Sequence, residues 1–125
     1  KYVKRRAERH LEKGRIVVLA SGTGNPFFTT DSAASLRAIE LDAEVMLKGT
    51  KVDGIYDSDP VKNKDAKVFK TITYSDIIKK NLSVMDITAV VMCQEHKMPL
   101  RVFNILTQGN LKKVLHDDNI GTRII

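Results

Sequence analysis

An α/β fold, three layers deep around a mainly parallel sheet, is what this sequence predicts. Three observations carry that expectation. The continuous apolar run Ile16–Ala20 reads as a central strand buried on both faces, which is the habit of parallel sheets. A helix-period segment and a second short strand-like run follow it, giving the strand–helix–strand order of a right-handed crossover unit. Helix and strand patterns go on alternating through the rest of the 125 residues, with no internal repeat or low-complexity tract.

Taken in order, residues 1–13 read as the end of an amphipathic helix that Gly14 closes. No start signal precedes it, so the chain is expected to be cut from something longer. After Ile16–Ala20 comes the loop Ser21–Thr29, then a helix over 30–41 with Thr30 as N-cap and Asp31 in the electropositive first turn. Ala34, Ala38 and Leu41 are expected on its packed face. Glu44–Lys48 is the next strand. Residues 49–70 are rich in Gly, Asp, Asn, Lys and Pro, a connection long enough to point to function. A short helix over 74–80, with Ser75 as cap, precedes one that Asp86 caps and that runs to about Lys97, with Ile87, Val90 and Val91 inward. Arg101–Ile105 is a third strand, 109–115 a short helix and 122–125 a final edge strand.

Composition bounds the function. Hydrophobic residues make up 42% and charged residues 29%, an ordinary globular balance. There is no apolar stretch long enough for a membrane span, and the basic start, Lys1–Arg9, has no apolar run behind it as a secretory leader would. The single cysteine, Cys93, lies in an apolar run and reads as core, in keeping with a cytoplasmic setting. His10, His96 and His116 are far apart and show no metal-cage spacing, and the four methionines read as core fillers. The net charge of +6 would suit nucleic acid and nucleotide phosphates equally, but the basic residues are scattered and most read as a solvated face.

The chemistry concentrates in two turns. Ser21–Asp31 leaves the C-terminal end of a strand and enters a helix, the position where open α/β sheets bind ligands. Gly22 and Gly24 allow close backbone approach, the helix start offers free N–H groups, and Phe27 and Phe28 offer an apolar wall or a stacking surface. The turn is neither a Walker A loop nor a dinucleotide fingerprint, because the Gly-Lys-Ser/Thr ending and the third glycine are missing. Lys48–Pro60 is the second turn. Thr50 and Lys51 suit phosphates or a base, Tyr56 an adenine ring, and Asp57 and Asp59 a ribose or a cation. Asp53-Gly54 is also a common turn dipeptide. Lys48 and Lys51 are the cations within reach, either at phosphates or simply solvated.

The string Gly22-Thr23-Gly24-Asn25-Pro26-Phe27-Phe28-Thr29-Thr30-Asp31-Ser32-Ala33-Ala34 resembles the UMP-site signature of the bacterial uridylate kinases. Lys48–Pro60 resembles their ATP loop, and Val84-Met85-Asp86 and Pro99–Asn104 resemble their downstream pattern. This resemblance implies a carbamate-kinase-like αβα sandwich and phosphoryl transfer from ATP to UMP, with magnesium. It implies UMP contacts at Thr23, Gly24, Asn25, Pro26, Phe27, Phe28, Thr29 and Thr30, and ATP contacts at Thr50, Tyr56 and Asp59. Asp31 matches the carboxylate that orients catalytic lysines, a role suited to a charge at a helix start. A homohexamer responsive to GTP and UTP is implied too. The phosphate loop, its lysine and the rest of the UMP site match nothing in this chain, so the chain alone is expected to be inactive. The alternatives are another amino-acid-kinase phosphotransferase, an RNA-binding module or a regulatory domain; an RNA-binding face needs basic residues interleaved with aromatics, and only seven aromatics occur, two of them in the glycine loop.

Overall fold

Side-chain caps set where the principal helices begin. The computed structural model describes residues 2–125. Thr29 accepts a hydrogen bond from the Ser32 N–H and opens α2 (Thr30–Glu40). Thr73 does the same for Asp76 at α3 (Tyr74–Lys79), and Asp86 for Ala89 at α4 (Ile87–Glu95). The expected caps Thr30 and Ser75 are therefore each displaced, by one and two residues, because the cap is the last extended residue and both lie inside the helix. Asp86 is the cap that the sequence identified. The first helix, α1 (Lys4–Glu12), ends as expected before Gly14, which takes a left-handed φ of 68°. Lys1, the start of the expected helix, lies outside the described residues.

Four strands form one sheet: β1 (Met46–Thr50), β2 (Thr71–Ile72), β3 (Leu100–Asn104) and β4 (Thr122–Ile124), in the order β1-β3-β4-β2. The pairs β1–β3 and β2–β4 are parallel, and β3–β4 is antiparallel. The expectation of a mainly parallel sheet holds. β4 is not an edge strand: it lies between β3 and β2, because the two-residue β2 was too short to read from the sequence. β3 alternates its side chains between two covered faces. Leu100 and Val102 join the core with Met46, Ile72 and Ile124 beneath Ile77, Val90 and Cys93 of α3 and α4. Arg101 and Phe103 face the other way and are buried as well, with the Arg101 guanidinium donating to the carbonyls of Val114 and Asp117 beside α5 (Asn110–Lys113). Helices thus cover both faces.

The inward faces of the two long helices match expectation at Ala38, which packs against the core, and at buried Val90, and differ elsewhere. In α2 the buried residues are Ser32, Ala33 and Ser35 while Ala34 is exposed, and in α4 they are Ala89, Val90 and Cys93 while Ile87 and Val91 are exposed. The two helices pack on each other as well as on the sheet, and small residues let them approach. The Cys93 thiol meets the Ser35 hydroxyl at 3.3 Å in that contact.

The largest correction concerns Ile16–Ala20. It forms no strand, and Ile16 and Val18 are 94% and 86% exposed. An apolar run becomes a buried strand only beside another strand. Among the described residues none lies there, and β1 keeps its outer edge unpaired. The expected crossover unit is therefore not formed, and β1 instead pairs in parallel with β3, with β2, α3 and α4 between them in the chain.

Candidate functional site

The C-terminal ends of β1 and β3 and the N-terminal ends of α2 and α4 meet at one rim of the sheet. Thr50 and Asn104 end the two parallel strands opposite each other. Asp31, in the first turn of α2, accepts a hydrogen bond from the Lys48 ammonium near the end of β1. Asp86, the cap of α4, accepts from the hydroxyls of Thr29 and Ser32 at the start of α2. Two parallel strand ends and two helix starts make a rim rich in oriented N–H dipoles, which favours anions.

One side of the rim is the turn 21–29. Ser21, Gly22, Gly24 and Phe27 all take left-handed φ values, 71°, 60°, 75° and 69°, so the chain coils tightly and its amides point in several directions. A phenylalanine in that region is unusual and carries a backbone cost of about 1–2 kcal/mol. The Thr23 hydroxyl accepts from the Asn25 N–H at 3.0 Å and closes the turn locally. Phe27 is wholly exposed and Phe28 half exposed. Neither is in the core, so the apolar rings project from a polar turn.

The other side is a cavity of about 410 Å³, walled by Thr50, Val52, Gly54, Ile55, Tyr56 and Asp59 from the 50–60 turn and by Asn81, Leu82, Ser83 and Val84 from the α3–α4 connection. Its shape depends on a buried hydroxyl. Thr122 of β4 accepts from the Ile55 N–H at 2.9 Å and donates to the Phe69 carbonyl at 2.6 Å. That anchors a small antiparallel pairing in which Tyr56 bridges Val68. Gly54 fits because it has no side chain: a Cβ there would lie 2.5 Å from the Thr122 hydroxyl. The Thr50 hydroxyl accepts from the Val52 N–H at 3.2 Å, and the Asp59 carboxylate from the Val61 N–H at 2.9 Å, so each shapes its own turn.

The structure thus brings Thr50, Tyr56 and Asp59 into one cavity wall and joins Thr29 and Asp31 to the same rim. Thr23, Gly24, Asn25, Pro26, Phe27 and Phe28 stay outside that wall, on the turn, and Thr30 lies outside it at the start of α2. Lys48 is paired rather than merely solvated; a lysine within a half-buried strand needs an anion, and that was the signal. Asp86 was legible as a cap, but not as a partner of two hydroxyls more than fifty residues away. Burial works to raise the Asp86 pKa, yet the hydrogen bonds from Thr29, Ala89, Ser32 and Thr88 outweigh it and hold the carboxyl below its ordinary range. No group of three or more His, Cys, Asp or Glu side chains fit to hold a metal occurs among the described residues. No helix there is long and apolar enough to cross a membrane.

Comparison with known proteins bears on this rim. The amino acid kinase family model matches residues 1–104. The chain is 56% identical over 124 residues to a uridylate kinase of Methylococcus capsulatus, covering 99% of this chain and 52% of that protein. It is 57% identical over 123 residues to a uridylate kinase of Rickettsia bellii, covering 98% and 52%. The crystal structure of UMP kinase from Bacillus anthracis superposes with a TM-score of 0.96 at 36% identity, over 99% of this chain and 51% of that one. The chain spans about half the length of the relatives it matches. With the family model covering most of its residues, this chain belongs to the amino acid kinase family.

Proposed function

We propose that this chain supplies the ATP pocket and one side of the UMP pocket of a uridylate kinase, which transfers the γ-phosphoryl group of ATP to UMP. One observation carries the reading: Asp31, at the end of the signature turn, bonds Lys48 of β1, two residues before Thr50, which lines the cavity. Relatives named uridylate kinase, more than half identical over nearly the whole chain, support the choice of substrate.

In this reading Tyr56 and the apolar wall of Ile55 and Val84 hold the adenine, and Thr50 and Asp59 its sugar and phosphates. The turn Thr23–Thr30 takes the uracil, with Phe27 and Phe28 supplying apolar surface. Phosphoryl transfer needs positioning and charge neutralisation more than covalent chemistry. Asp31 fixes the Lys48 ammonium at the rim where the transferred group would pass, and that cation offsets charge developing on the phosphoryl oxygens. Magnesium is taken here to arrive with ATP, bound to the triphosphate, as magnesium commonly is. The same reading makes the working enzyme a cytoplasmic homo-oligomer that answers to GTP and UTP.

The test is a coupled ADP-release assay with ATP, magnesium and either UMP or an amino-acid substrate. The full-length polypeptide carrying this chain is expected to turn over UMP and not glutamate or aspartate. Residues 1–125 alone are expected to give no turnover, since they hold one side of the cleft. Turnover with an amino acid in place of UMP would overturn the reading.

A further inference from the structure

The connection from α3 to α4 touches both sides of the rim. Its first half, Asn81–Val84, forms a wall of the cavity opposite Tyr56 and Asp59. Its end, Asp86, reaches the other way and accepts hydrogen bonds from the Thr29 hydroxyl and, at 3.2 Å, from the Ser32 hydroxyl. The connection is held along its length: the Leu82 N–H bonds the Ile77 carbonyl at 3.0 Å, and Leu82, Val84 and Met85 pack against the core.

Capping α4 requires only the bond that Asp86 takes from the Ala89 N–H at 3.0 Å. The two bonds to α2 exceed that need. Thr29 is itself the cap of α2, through its bond from the Ser32 N–H at 3.1 Å, and it is the last residue of the signature turn before the helix. One carboxylate therefore holds the cap of one helix while capping another. These are charge-assisted bonds, stronger than neutral pairs, and those from Ser32 are partly buried.

We propose that Asp86 is a positioning residue that couples the two pockets: it keeps the 23–30 turn in register with the cavity wall, so that filling the cavity strengthens nucleoside monophosphate binding at the turn. This rests on the functional reading above. Because Asn81–Val84 would contact a nucleotide in the cavity, ordering that wall fixes Asp86, and Asp86 fixes Thr29 and Ser32. Linkage makes the effect reciprocal: the monophosphate strengthens binding in the cavity by the same factor.

Calorimetry on the full-length polypeptide tests this, with UMP titrated alone and again with a saturating non-hydrolysable ATP analogue. In the unaltered protein the analogue is expected to tighten UMP. Asp86→Asn keeps a good N-cap, so the melting temperature is expected to fall only modestly and the affinity for the analogue alone to hold. UMP affinity is expected to fall about tenfold, and the enhancement by the analogue to shrink towards none. Ser32→Ala is expected to move the same way by less. Unchanged UMP affinity and enhancement in Asp86→Asn would overturn the coupling alone. So would equal losses for both nucleotides with a sharply lowered melting temperature, which mark general support. Binding of neither nucleotide by the unaltered protein would overturn the functional reading, and the coupling with it.

Discussion

Replacing Thr122 by valine isolates one hydroxyl on which the cavity depends. Thr122 is fully buried, and valine matches its shape, so packing is retained. What disappears is the acceptor for the Ile55 N–H at 2.9 Å and the donor to the Phe69 carbonyl at 2.6 Å. Leaving a buried polar group unpaired costs about 1–3 kcal/mol, so the two together cost about 2–4 kcal/mol after some relaxation. For a chain of this size that corresponds to a melting temperature lower by roughly 10 °C. Urea denaturation should show the midpoint fall with its slope unchanged. Because the bond to Ile55 anchors the wall that includes Tyr56, affinity for an ATP analogue should fall as well. Thr122→Ser keeps the hydroxyl and loses one methyl, so it should cost only about 1 kcal/mol and preserve analogue binding. A valine variant within about 0.5 kcal/mol of the original would refute the anchoring role, since that is the scatter of featureless substitutions.

Three further outcomes follow from the same geometry. Asp31→Asn removes the carboxylate that holds Lys48, and steady-state assays of the full-length polypeptide should show kcat reduced at least about tenfold, whereas an unchanged kcat would remove Asp31 from the machinery. Phe27→Ala should leave stability within about 0.5 kcal/mol, because the ring is wholly exposed, yet weaken UMP in calorimetry; unchanged UMP affinity would make the ring irrelevant to binding. Acid should destabilise through three carboxylates held below their ordinary range: Asp57 by the Lys67 N–H, Asp118 by a hydrogen bond from Arg101, and Asp86 by hydrogen bonds that outweigh burial. A depressed carboxylate stabilises the fold above its unfolded pKa of about 4, and that contribution is lost as pH falls through the folded value. Melting temperatures followed from pH 5 downward should therefore drop, and Asp118→Asn should make the drop shallower; an identical slope would contradict the role of the Arg101 pair.

Helix positions were legible because their signals are local. Apolar spacing and a short polar cap need nothing from the rest of the chain, and Asp86 shows it: the residue expected to cap α4 does so. Strands depend on neighbours, so the sequence did less well there. Ile16–Ala20 has the composition of a central strand, but composition cannot supply the strand that would pair with it. β2 has only two residues and no pattern to read, and missing it made β4 look like an edge. Inward faces were misjudged where helices pack closely, since Ser32 and Ser35 are polar by type yet buried against α4. At the rim, each turn was visible as a turn. The ties between them were not, because Asp31–Lys48 and Thr29–Asp86 are long-range bonds that no spacing encodes.

A bisubstrate ligand, adenosine joined to uridine through a polyphosphate, probes the shared rim most directly. Two adjacent pockets should let it bind the full-length polypeptide more tightly than either nucleotide, and compete with both ATP and UMP. Competition with only one of them, at an affinity no better than that nucleotide alone, would contradict a common cleft.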